Sequence, residues 1–368
     1  MSDVWRFLVE DGVTAAEGLA MDEALMGRYA RGRPGCPPTL RLYSYRDHCA
    51  LVGRYQNLDA ELDLDACRRT GTEVSRRLTG GGAIVMGSGQ LGVAYLDRAP
   101  SEARPREIIE KFSGALVTGL AELGVIASFH GKNDLEVAGR KIAGLGLYVD
   151  QAGAMLFHAS VIADLDVEFM VQLLQIPAAK LGGKAAAAVG ERVTTVSAET
   201  GVRHDAATLR PYLAHGFAQR FDVMLEPGSP DPDELARSEI LASKRYRSQS
   251  FLREHSVGED ANGSALLKTP AGLARIYLTT HGDIVKSAMI VGDFNELPPS
   301  LVAMESALRW RRLDHATIEA VVTTSGAARA LGVPADELAG AVMAAGREAG
   351  LGATSGAVVN PRGSREQG

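Results

Sequence analysis

Apolar and polar positions alternate loosely from Val4 to Val9, which predicts a first strand. Thr14-Ala15-Ala16-Glu17 then has capping-box spacing, and Leu19, Met21, Leu25 and Met26 recur at roughly helical intervals, so a helix is expected from about 14 to 30. Arg31 to Pro38, rich in Gly and Pro, reads as a loop. Thr39 to Tyr45 and Ala50 to Tyr55 read as two strands around Arg46-Asp47-His48, and a short helix covers about 62 to 70. Ala83 to Met86 and Leu91 to Leu96 look like paired strands joined by Gly87-Ser88-Gly89-Gln90. Pro105 suits the first turn of a helix that runs to about Leu123 and closes on Gly124.

The pattern then changes to short strands and tight turns. Asn133 to Val137 predicts a strand, Ala138-Gly139 a turn, and the return strand carries Lys141. A second hairpin turns at Gln151-Ala152-Gly153, and its outgoing strand, Met155 to Ala163, carries His158 and Ser160. This is a meander, not a βαβ series. Helices are expected over Val167 to Gln175 and Asp205 to Phe221. Between them Pro177 to Arg192 is long for a structureless connection, which makes it a candidate flap. A Pro- and Gly-rich break at Glu226 to Pro232 precedes a helix reaching Arg245 and a basic patch, Lys244-Arg245-Tyr246-Arg247. A small antiparallel sheet over about 250 to 291, with helices near 297–308, 315–323 and 335–349, completes a second domain. The expected organisation is α+β: a mixed or antiparallel central sheet with flanking helices over 1–245, a small α+β domain over 246–350, and a Gly/Ser/Pro-rich disordered tail over 351–368.

Composition narrows the function classes. With 368 residues, 46% hydrophobic and 23% charged, the chain fits a soluble protein of one large and one smaller domain. A net charge of −6, with no basic tail or zinc-finger spacing, argues against a nucleic-acid partner. The N-terminus lacks signal-peptide features, and no apolar run approaches the ~18–20 residues of a membrane span. The three cysteines, Cys36, Cys49 and Cys67, form no CxxC pair, which fits free thiols in a cytoplasmic setting.

The candidate chemistry centres on Arg76-Arg77-Leu78-Thr79-Gly80-Gly81-Gly82-Ala83-Ile84-Val85. Three consecutive glycines are costly to order and make sense where backbone passes close to something. Beside arginine they could cradle a phosphate or carboxylate; a glycine-rich hairpin turn fits the pattern equally well. Lys141 could set an ammonium beside developing negative charge, although most lysines are solvated. His158 reads first as a satisfied core histidine, and Asn133-Asp134 as an Asx turn, with a magnesium or nucleotide-hydroxyl role for Asp134 as the alternative. There is no GxSxG elbow, HExxH motif or P-loop, and the triple glycine leads into a strand, unlike a dinucleotide fingerprint.

Taken in order from about residue 12 to 325, these pieces resemble the lipoate–protein ligase A family, of the superfamily shared with biotin ligases and octanoyl transferases. The resemblance is carried by Ala20-Met21-Asp22-Glu23-Ala24-Leu25, Gly53-Arg54-Tyr55-Gln56-Asn57, the Arg76 to Ala83 stretch, Asn133-Asp134-Leu135, Gly139-Arg140-Lys141-Ile142-x-Gly144 and His158-Ala159-Ser160. Residues 250–323, with Ile290-Val291-Gly292-Asp293-Phe294, are similar to the accessory C-terminal domain of these ligases. The resemblance implies a biotin/lipoate ligase-like catalytic domain and a two-step reaction. Lipoate attacks the α-phosphorus of ATP, with Mg²⁺, to give lipoyl-adenylate and pyrophosphate; a lysine of a carrier then takes the acyl group and AMP leaves. It implies Lys141 as the catalytic residue. Arg77, Thr79, Gly80, Gly81, Gly82, Ala83 and Ile84 would hold the acyl chain and adenylate. Asn133 and Asp134 would serve nucleotide and metal, with Asp134 on Mg²⁺. Gln90, Gly144, His158 and Ser160 would line the same pocket, and Lys180 and Lys184 would lie on the flap. The implied partner is a lipoyl carrier, either an E2 lipoyl domain of a 2-oxoacid dehydrogenase, a glycine-cleavage H-protein or an H-protein-like carrier, and the implied state is a monomer.

The chain departs from the family at Met86-Gly87, where His-Asp is common, and at Leu145-Gly146, where a small Ser-Ala pair is usual. Two alternatives stand beside the ligase. An octanoyl or lipoyl transferase passes through a cysteine thioester, and no cysteine follows Cys67. A non-catalytic lipoyl-binding module would not need Lys141. Biotin ligation would need a different arginine–glycine loop.

Overall fold

Eleven strands of the first part of the chain are β1 (Asp3–Val13), β2 (Thr39–Tyr45), β3 (Cys49–Val52), β4 (Glu73–Arg76), β5 (Ile84–Met86), β6 (Gln90–Arg98), β7 (Ser128–His130), β8 (Asp134–Val137), β9 (Arg140–Val149), β10 (Ala154–Ile162) and β11 (Val223–Pro227). They come from a computed structural model that describes residues 3–30, 35–175 and 185–355. Eight form one sheet in the order β11-β1-β2-β6-β10-β9-β8-β7, and three form a small sheet, β4-β3-β5. The large sheet is mixed, since β1 runs parallel to β2 and β11 while the other pairs are antiparallel.

Both faces of the large sheet are covered, which explains why β2 is buried along its whole length. Leu40 and Leu42 point to a core shared with Ile108, Phe112 and Leu116 of the helix Pro105–Glu122 and with Leu209, Leu213 and Phe217 of the helix Ala206–Phe221. Tyr43 and Tyr45 point the other way, toward Leu19 and Leu25 of the helix Ala15–Met26. That helix starts with the expected capping box between Thr14 and Glu17. The β8–β9 turn is a two-residue turn with both central residues left-handed, Ala138 at φ 49° and Gly139 at φ 78°, the twist a tight hairpin requires.

One expected pairing is wrong. Ala83 to Met86 and Leu91 to Leu96 do not pair: β5 joins β3, whereas β6 pairs with β2 and β10. The connecting turn is held to a different neighbour, because the Gly89 carbonyl accepts from the Ala163 and Asp164 amides at 3.0 Å each. The chain is thereby turned out of the small sheet into the large one. The expected flap lies partly outside the described residues, and with it Lys180 and Lys184; residues Ala185–Gly190 form a short helix.

The chain divides into two compact units between Glu254 and His255. The expected division after residue 245 would cut the helical turn Ala242–Tyr246, whose Ala242 and Tyr246 belong to the core under the first helix. The second unit has an antiparallel sheet of β12 (Gly263–Thr269), β13 (Gly272–His281) and β14 (Ile284–Gly292). Its helices are Pro299–Leu308, His315–Ser325, Ala327–Leu331 and Ala335–Ser355. The expected tail lies outside the described residues from 356 onward. Among the described residues no helix is long and apolar enough to cross a membrane.

Candidate active site

A β-bulge places the lysine. In the β8–β9 hairpin Asp134 pairs with Gly144 and Leu135 with Ala143, but Glu136 pairs with Lys141, so Ile142 is an extra residue on β9. Bulges of this kind re-aim side chains. Lys141 therefore shares a face with Gly144 and Asp134, and its Nζ lies 2.7 Å from Asp134 Oδ1. The next strand continues that face, with Ser160 opposite Gly144 and His158 opposite Gly146. The backbone of Lys141 is fixed on its other edge too, donating to Arg192 O at 2.8 Å and accepting from Thr194 N at 2.9 Å.

The glycine loop closes over this face. Arg77 is buried and its guanidinium donates to Leu51 O at 2.6 Å, Gly82 O at 2.8 Å and Gly80 O at 3.2 Å. No carboxylate pairs with it among the described residues. Burial pulls its pKa down to about 10, against the weaker pull of Tyr45 and Tyr43. A buried cation satisfied only by carbonyls holds the loop in shape and makes the cleft favourable to an anion. The loop rests on Gly53, where a Cβ would lie 1.9 Å from the Gly81 carbonyl oxygen. Arg76, fully buried, works on the far side of the same loop. It donates to the carbonyls of Gly53, Arg54 and Gln56 at 2.7–3.0 Å and to those of Phe251 and Leu252 at 3.1 and 2.7 Å.

The resulting cleft brings together Arg77, Thr79, Gly80, Gly81, Gly82, Ala83, Ile84, Asn133, Lys141, Gly144, His158 and Ser160. Tyr45, Leu51, Met86 and Leu145 add apolar wall. One ammonium and a few polar groups among apolar walls suit a small amphipathic acid. Asp134 reaches the site through Lys141. Gln90 does not line the cleft: its side-chain amide donates to Asp164 O at 2.6 Å, bracing the turn that follows β10. Lys184 lies outside the described residues.

Three residues with no individual role readable in the sequence stand behind His158. Its Nε2 is 2.6 Å from the Tyr43 hydroxyl and 3.4 Å from Asp22 Oδ2. Asp22 Oδ1 accepts from buried Arg41 at 2.6 Å. Burial is the largest influence on His158 and lowers its pKa; Asp22 opposes this, and Arg77 and Arg41 add to it. Asp22 lay within a recognisable motif, yet only the fold shows which side chain it meets. None of the three cysteines lines the cleft, and burial pushes the Cys49 and Cys67 thiols up. Among the described residues no three His, Cys, Asp or Glu side chains converge as a metal site.

Residues 14–218 match the family described as the lipoyl protein ligase A/B catalytic domain. The octanoyltransferase LipM of Symbiobacterium thermophilum is 30% identical over 271 residues, covering 67% of this chain and 97% of that protein. Lipoate-protein ligase A subunit 1 of Thermoplasma acidophilum is 27% identical over 253 residues, covering 66% and 94% respectively. Among solved structures, a bi-partite lipoate protein ligase studied with its E2 lipoyl domain, from the same archaeon, superposes with a TM-score of 0.63 at 25% identity over 70% of this chain and 99% of that one.

Proposed function

The chain belongs to the lipoyl protein ligase A/B family, and we propose that within it the protein activates lipoate with ATP and transfers the acyl group to a lysine of a lipoyl carrier. The observation that carries this reading is a cleft with Lys141 on its floor and no thiol in its lining. In the first step a carboxylate oxygen attacks the α-phosphorus and the bond to pyrophosphate breaks. In the second the carrier amine attacks the acyl carbon and the bond to AMP breaks. Both transition states gather negative charge on oxygen, which an ammonium fixed in a partly buried site stabilises. Lys141 would exchange Asp134 for those oxygens. Arg77 would keep the glycine loop open to close backbone approach and bias the cleft toward anions. Asn133, Thr79 and Ser160 would orient the adenylate. Of the donors present only Asp134 is a carboxylate at the lysine, so Mg²⁺ would arrive held mainly by nucleotide phosphates. The carrier would be an E2 lipoyl domain, an H-protein or an H-protein-like protein, and the lipoyl domain is the first to try, given the archaeal relative.

Octanoyl transfer is the second reading, favoured by the activity named for the Symbiobacterium relative. A thioester route requires a thiolate nucleophile, and the cleft lining supplies none. Mass spectrometry of an apo lipoyl domain incubated with the protein, Mg-ATP and lipoate tests the choice, together with lipoate-dependent ATP–pyrophosphate exchange. ATP-dependent gain of one lipoyl group is the expected result. Acylation from an octanoyl carrier without ATP, and no exchange, would overturn it.

A further inference from the structure

His158 ends a buried polar chain that the reaction, as derived above, does not use. Its Nε2 faces the Tyr43 hydroxyl and Asp22, the same hydroxyl lies 3.2 Å from Asp22 Oδ2, and Arg41 holds Asp22 from behind. Room for this is built into the sheet. Gly92 sits between Tyr43 and Ser160, and a Cβ there would come within 2.6 Å of the Tyr43 ring. Among the described residues every polar contact of the imidazole thus falls on Nε2. Nδ1 takes no hydrogen bond among the described residues and is not sealed from solvent, while the ring lines the cleft. If Nε2–H donates to the Tyr43 oxygen and Tyr43 O–H donates to Asp22, the tautomer is set: the proton stays on Nε2 and the lone pair on Nδ1. A purely structural histidine has no need of a bare nitrogen on a cleft.

We propose that His158 accepts, through Nδ1, the proton lost by the carrier lysine as it attacks the acyl group, with Tyr43 and Asp22 as positioning residues that fix the ring and its tautomer. This rests on the reading that a lysine amine is acylated in this cleft. In the step, the N–C bond forms and the C–O bond to AMP breaks. Nδ1 takes one proton from the lysine ammonium as its amine attacks, the electron pair leaves on the phosphate oxygen, and the second proton lost by the nitrogen leaves with that oxygen. The imidazolium formed donates from Nε2 toward Tyr43 and Asp22, whose charge it partly neutralises. The charged and titratable neighbours are Asp22 from the first helix, Arg41 and Tyr43 from β2, and Arg77 from the glycine loop, with Lys141 and Tyr45 elsewhere on the lining. Burial and the two arginines hold the imidazole below its ordinary pKa of 6.5, so it is neutral and able to accept at neutral pH.

The test is single-turnover transfer from preformed lipoyl-adenylate to the apo carrier that the wild-type protein modifies, followed against pH with the full chain. The wild-type rate should be level from about pH 7 to about pH 9 and fall on the acid side of the ordinary imidazole value. His158→Gln should be slowed about 10²-fold. Its rate should also climb roughly tenfold per pH unit, because the free-amine fraction of a lysine with pKa near ~10.4 then limits the step. Tyr43→Phe, which removes one oxygen and leaves the ring packed, should slow transfer about tenfold and displace the acid limb. A wild-type profile that itself climbs tenfold per unit, or a His158→Gln profile that stays level, would overturn the proposal even if one variant failed to fold. A Tyr43→Phe protein with wild-type rate and acid limb would remove Tyr43 from it. A wild-type protein that neither exchanges pyrophosphate nor acylates a carrier would instead sink the reading beneath it.

Discussion

Lys141 and Gly144 lie three residues apart on β9 yet meet: a Cβ at Gly144 would stand 3.1 Å from Lys141 Nζ and 3.5 Å from Ser160 Oγ. On an unbroken strand they would point to opposite faces; the extra residue Ile142 turns them to one. Gly144→Ala should push the ammonium aside and lower kcat for pyrophosphate exchange about 10²-fold, with thermal stability nearly unchanged. Lys141→Ala should leave the fold intact and abolish exchange. Near-wild-type exchange by Lys141→Ala would show that its ammonium is not what stabilises the transition state.

Two glycines of the loop region should behave oppositely. Gly53→Ala drives a methyl into the Gly81 carbonyl, so the loop must move and the protein should lose about 1–3 kcal/mol and its exchange activity together. Gly82 has open space where its Cβ would go and an ordinary φ. Gly82→Ala should unfold within about 0.5 kcal/mol of wild type, while raising KM if substrate approaches this backbone. Urea unfolding and substrate titration on the same two variants separate the effects.

Arg76 satisfies carbonyls from the Gly53–Gln56 turn and from the end of the helix Gln249–Leu252. Arg76→Met would leave several of these acceptors buried without donors, each costing about 1–3 kcal/mol. A loss of about 3 kcal/mol or more in urea unfolding is expected. A loss under about 1 kcal/mol would mean that water replaces the guanidinium.

Acid stability should depend on Glu234. Its carboxylate accepts from both terminal nitrogens of Arg6, at 2.8 and 2.7 Å, from Arg28 at 3.1 Å and from the Asp231 amide at 2.7 Å. Burial alone would raise its pKa, but these bonds outweigh it and hold the group below its ordinary 4.5. A carboxyl depressed in the fold contributes fully above its unfolded value and loses that contribution as pH falls through the folded one. Glu234→Gln should therefore cost about 1–3 kcal/mol at neutral pH and flatten the stability curve below pH 4.5. An unchanged acid limb would assign the loss to other carboxylates.

Local signals carried much of this structure. The Thr14–Glu17 cap, the Ala138-Gly139 turn and the meander that bears Lys141, His158 and Ser160 depend on residues near in sequence, and all are present as expected. What the sequence hid depends on pairing. The bulge at Ile142 is a register shift that no single residue type announces. The separation of β5 from β6 rests on a Gly89 carbonyl finding partners some seventy residues away. The same fact explains Gln90, which the family resemblance assigned to the pocket but whose amide serves that turn. Asp22, Arg41 and Tyr43 converge on His158 only because helix and sheet stack there.

The carbonyls that Arg76 holds also bear on where this chain could be divided into two polypeptides. The solved archaeal ligase is described as bi-partite. In the present chain the carbonyls of Phe251 and Leu252 accept from Arg76, Arg253 pairs with Asp59, and Glu254 accepts from Arg54, all within the first unit. A fission before that point would strand a buried guanidinium in one polypeptide and leave its acceptors in the other. The permissible breakpoint therefore lies beyond Glu254, and a two-subunit version of this protein should carry the Gln249–Leu252 helix on the subunit that bears the glycine loop.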